Sequence, residues 1–191
     1  MRSSMQAGSF QLREASGVQR SGLKGRGAGD LLASLGIAVP PRANQILRFT
    51  GVPAGRCLRL GTTEFLLEQD DGDALLRALD SALQAAPGSV LGALRRDRCF
   101  LLSGAGAPAA LRQIAAFDFE GPGFGGDDVV MTLMAGISVS FVRESALGPD
   151  ALRLWCDAGF GDYLHDCFVA LGAQSHAPSL SLHREPQGPP P

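Results

Sequence analysis

Apolar residues in this chain come in short runs closed by turn signals, at residues 57–60, 64–69, 89–94, 99–103, 129–134, 137–143 and 151–156. Runs of that length suit β-strands and fall short of the ten or so residues a core helix needs. Gly61-Thr62-Thr63 separates the first two runs, Arg95-Arg96-Asp97-Arg98 the next two, and Ala135-Gly136 splits the stretch 129–143. Links this short predict antiparallel pairs, because a parallel pair needs a long crossover. Between Ile137 and Arg143, Val139 and Phe141 alternate with Ser138 and Ser140, the period-two pattern of a half-covered strand.

Helical spacing interrupts the strands at a few places. Asp30 can cap a short helix over 31–35 that Gly36 ends, with Pro40-Pro41 beyond. Asp70-Asp71-Gly72-Asp73 opens a helix carrying Leu75, Leu76, Leu79 and Leu83 on one stripe, and Pro87-Gly88 stops it. Pro108 suits the first turn of a helix running past Leu111 and Ile114 towards Phe117. A last helix covers about 160–171, with Leu164, Cys167, Phe168 and Leu171 near one face. The class expected is α+β, with antiparallel sheets and helices packed on one face.

A chain of 191 residues fits one domain with tails. Residues 1–28, basic and without an apolar run, read as a disordered lead-in, 29–174 as the domain, and 175–191, ending in Gly-Pro-Pro-Pro, as a flexible tail. Net charge is −2 with one Trp and one Tyr, which argues against nucleic acid as a partner. No stretch approaches the ~20 apolar residues of a membrane helix, and the N-terminus lacks the apolar core of a secretory signal. Cys57, Cys99, Cys156 and Cys167 form no CxxC pair and sit in apolar surroundings, as buried reduced thiols do. A cytoplasmic protein is expected.

The candidate chemistry is sparse. Gly121-Pro122-Gly123-Phe124-Gly125-Gly126 matches G-x-G-x-x-G, but a strand-like run follows where a dinucleotide site needs a helix. Gly104-Ala105-Gly106-Ala107-Pro108 does precede a helix, yet no parallel strand ending in an acid follows. His165, His176 and His183 have no metal-ligand spacing, and His165 with Cys156 or Cys167 is the one nucleophile pair to consider. Asp118 and Glu120 alternate with Phe117 and Phe119, so the two acids can share a face of an extended segment. No catalytic or metal-binding residue is assigned.

Four segments, in order, resemble the gamma subunit of heterotetrameric sarcosine oxidase. They are Leu35-Gly36-Ile37-Ala38-Val39-Pro40 with Asn44, then Leu58-Arg59-Leu60-Gly61-Thr62-Thr63-Glu64-Phe65-Leu66-Leu67, then Val130-Met131-Thr132-Leu133-Met134-Ala135-Gly136-Ile137, and Phe160-Gly161-Asp162-Tyr163-Leu164. The family's Pro-Asp in the second segment is Thr62-Thr63, its Trp is Phe65, and its Arg-Ser before the last helix is Ala158-Gly159. The resemblance implies a fold like the folate-binding domain of glycine-cleavage aminomethyltransferases. It implies a structural subunit without a catalytic site, packed against an alpha subunit beside beta and delta chains in sarcosine oxidation. FAD, FMN, NAD and tetrahydrofolate would sit in those partner subunits, with none in this chain; the isolated chain could form a homo-oligomer. The alternative is a free-standing folate- or pterin-binding protein. There Asp118 or Glu120 would read the pterin ring, and Arg112 or Arg143 would hold the folate glutamate.

Overall fold

The computed structural model describes residues 9–15, 17–50, 53–85, 88–121 and 123–176. Pro87, Pro122, His183, residues 1–8 and the tail 177–191 lie outside the described residues. In chain order the elements are β1 (Phe10–Glu14), β2 (Gln19–Lys24), α1 (Ala28–Ser34), β3 (Gln45–Phe49), β4 (Gly55–Arg59), β5 (Glu64–Gln69) and α2 (Ala74–Ala85). There follow β6 (Leu91–Ala93), β7 (Arg98–Ser103), α3 (Ala107–Leu111), β8 (Val130–Met134), β9 (Ile137–Arg143), β10 (Leu152–Cys156), α4 (Gly161–Ala170) and β11 (Ala173–His176).

The strands form two sheets, one ordered β11-β1-β7-β10-β9-β8 and the other β3-β4-β5-β2-β6. Alternation along the central strands shows how the sheets stack. In β5, Phe65 and Leu67 join the apolar cluster of Leu32, Leu76 and Leu79 from α1 and α2. Leu66, on the opposite face, joins Cys99, Val142 and Trp155 of the other sheet. In β10 the parity is the same: Leu152 and Leu154 pack with Leu111, Leu164 and Phe168 of α3 and α4, while Trp155 faces the second sheet. The result is four layers, helices outside and two sheets face to face within. A strand covered on both faces has no solvent side, which is why 64–69 and 152–156 read as continuous runs. Each sheet thus carries its helices on one face, as the α+β reading expects.

Four features differ from the sequence reading. Residues 10–14 and 19–24 of the expected lead-in are strands, one in each sheet: β1 lies between β7 and β11, and β2 between β5 and β6. Phe10 and Leu12 are buried in the core, a period-two signal too short to stand out beside the basic residues around it. The β1–β11 pair is parallel, Phe10 opposite Ala173, so the six-stranded sheet is mixed; β11 also takes residues 175–176 of the expected tail into the sheet. Strands β6 and β7 do not pair with each other; the link 94–97 crosses from one sheet to the other. The expected helix 108–117 stops at Leu111, because the backbone at Ile114 accepts from Ala135 N at 2.7 Å and Ala115 bridges Met134.

Three left-handed residues fix the geometry around β8. Ala135 and Gly136 have φ of 52° and 81°, the paired positive values of a two-residue hairpin turn between β8 and β9. Asn44 has φ 60°, a conformation Asn tolerates. Its N–H donates to Arg59 O at 2.7 Å and its carbonyl accepts from Val129 N at 2.9 Å, tying the rim of one sheet to the residue that precedes β8.

Candidate functional site

The largest concentration of ionisable groups lies between the sheets and centres on Glu68. Its side chain is fully buried and faces three arginines. Arg56 Nη1 is 2.7 Å away, Arg20 Nε 3.1 Å and Arg153 Nη1 3.5 Å. Trp155 Nε1 donates to Glu68 Oε1 at 2.6 Å. Two further carboxylates balance the charge: Glu144 lies 2.7 Å from Arg153 and Asp70 lies 2.7 Å from Arg56. Arg20 also donates to the carbonyls of Asp97 and Ala15. Three cations against three carboxylates satisfy the rule that buried charges are paired. Sequence reasoning missed this cluster, because its members lie on β2, β4, β5 and β10 and come together only when the sheets stack. The available signal was a charged residue inside an otherwise apolar run, as at Glu68 and Arg153.

The four candidate ligand residues separate into two groups. Arg112 and Glu120 pair at 2.6 Å on an exposed surface, and Asp118 Oδ1 accepts from Glu120 N at 3.2 Å. These three are neighbours. Arg143 stands apart from them in role. Its guanidinium donates to the carbonyls of Phe119 at 2.8 Å, Pro149 at 3.1 Å and Phe124 at 3.2 Å, and it sits 4.4 Å over the Phe124 ring. A five-donor planar fork suits this clamp of loop carbonyls. Arg143→Ala is expected to cost about 2–3 kcal/mol in denaturant unfolding, since bonds to charged groups contribute roughly 1.5–3 kcal/mol each when buried and less when partly exposed. Arg112→Ala breaks an exposed ion pair and is expected to change stability by less than about 1 kcal/mol.

Three of the thiols are shifted away from the thiolate form. Burial pushes Cys57 and Cys99 up to about 12 and Cys156 up to about 11. A nucleophilic cysteine needs a shift in the other direction. His165 lies 3.4 Å from Asp166 Oδ1 and 6.5 Å from the Phe100 ring centroid. Of the glycine-rich loop, Gly125 N donates to Asp128 Oδ2 at 2.7 Å, closing a local turn. Among the described residues, no group of three or more His, Cys, Asp or Glu side chains could hold a metal ion. No helix among them is long and apolar enough to cross a membrane.

One concave surface adjoins the buried network. Strands β8, β9 and β10 extend past the second sheet and leave part of their inner face uncovered, forming a trough of about 580 Å³. Met131 stands opposite Ser140 in register, and Ser140 opposite Trp155, so the floor is a row across three strands. Leu133 stands opposite Ser138. Met131 is 50% exposed and Leu133 58%.

Three curated relatives align with most of this chain. The sarcosine oxidase gamma subunit of an Arthrobacter species is 30% identical over 142 residues, 72% of this chain and 68% of the relative. The chain belongs to the sarcosine oxidase gamma-subunit family. The gamma subunits of Corynebacterium strains P-1 and U-96 are 31% and 29% identical over 141 and 156 residues, covering 72% and 80% of this chain and 68% and 74% of theirs. No family model matches it. A chain of the heterotetrameric sarcosine oxidase from Corynebacterium sp. U-96, solved in complex with pyrrole 2-carboxylate, superposes with a TM-score of 0.68 at 28% identity, covering 88% of each chain. The glycine cleavage system aminomethyltransferase T from Bartonella henselae shares the fold, with a TM-score of 0.65 at 15% identity over 87% of this chain and 47% of that one.

The segments that resemble the gamma-subunit family fall on joints of the fold. The second is the β4–β5 hairpin, where Arg59 donates to Thr62 O at 2.9 Å and lies 5.6 Å over the Phe65 ring. Thr62 and Phe65, two of the departures from the family pattern, are therefore held by one arginine. The third segment is the β8–β9 hairpin that carries the trough. The fourth begins α4, preceded by a 3-10 turn, Ala158–Phe160, which Asp157 caps by accepting from Gly159 N at 2.8 Å. Ala158-Gly159, the remaining departure, lies in that turn.

Proposed function

We propose that this chain is a non-catalytic structural subunit of a sarcosine oxidase-type oxidoreductase, packed against a large alpha-like subunit beside beta and delta chains in the cytoplasm. The observation that carries the reading is the matched coverage: this chain and a chain of a solved heterotetrameric sarcosine oxidase cover 88% of each other at a TM-score of 0.68. The charge arrangement supports it. The buried ionisable groups are neutralised within the fold, and Arg143 is held by loop carbonyls. FAD, FMN, NAD and tetrahydrofolate then belong to the partner chains, and this chain contributes surface.

Co-expression with the flavin-containing chains tests the reading. A tag on this chain is expected to bring down a yellow, stoichiometric complex. Recovery of the chain alone, with the flavin chains assembled without it, would contradict the proposal. Titration calorimetry with tetrahydrofolate tests the free-standing folate- or pterin-binding alternative. Heat at millimolar ligand that Arg112→Ala or Arg143→Ala removes would favour that alternative.

A further inference from the structure

We draw no further inference here: the strongest candidate, the trough on β8, β9 and β10, carries none because nothing in the structure shows what covers that face.

Discussion

Glu68→Ala is expected to destabilise the chain by about 3–5 kcal/mol or more, because it strands buried arginines without their carboxylate. Arg56 and Arg153 have side chains only 8% exposed, and Arg20 only 4%, so water cannot take the place of Glu68. A loss of this size is a large share of the roughly 5–15 kcal/mol by which domains are stable. Trp155 is the single tryptophan and bonds directly to Glu68, so its fluorescence reports the network during urea unfolding. Glu68→Gln keeps two polar atoms of similar shape and is expected to lose less. The double variant Glu68→Ala with Arg153→Ala is expected to lose less than the two single losses combined, since removing one stranded cation relieves part of the penalty. An unfolding free energy for Glu68→Ala within about 1 kcal/mol of wild type would show that the network does not hold the sheets together.

The layers of this fold were largely legible from strand length. The stretches 64–69 and 137–143 matched strands to the residue, because turns bound them closely on both sides. What the sequence concealed is long-range. Strand β2 has one buried apolar side chain in the core, Leu23, and exists because β5 and β6 flank it on either side. The charged stretch 95–98 looks like a hairpin turn, yet β6 and β7 enter different sheets, a choice no local signal encodes. The candidate acids show the same limit. Asp118 and Glu120 alternate with phenylalanines as on one face of an extended segment, yet residues 119–120 turn, Asp118 Oδ1 accepts from Glu120 N, and Glu120 pairs with an exposed Arg112. Arg143 was singled out for its charge, and its role is set by three carbonyls from separate loops. The Glu68 cluster draws on four strands, so no spacing in the chain could have announced it.

Phe141→Ala is expected to remove about 3–5 kcal/mol, the usual cost of emptying a buried phenylalanine site. For a chain of this size that corresponds to a fall in Tm of roughly 10 °C or more. Phe141 is fully buried and lies 5.2 Å from Phe117, 5.3 Å from Phe119 and 5.4 Å from Phe124, centroid to centroid. Those three rings belong to the segment between α3 and β8, which has no strand of its own to hold it. Arg143 binds the same segment through the carbonyls of Phe119 and Phe124, so the two residues of β9 act as one anchor. Phe141→Leu is expected to cost about 1–2 kcal/mol, since a smaller void remains. Coupling between Phe141→Ala and Arg143→Ala should exceed about 0.5 kcal/mol, as both release one segment.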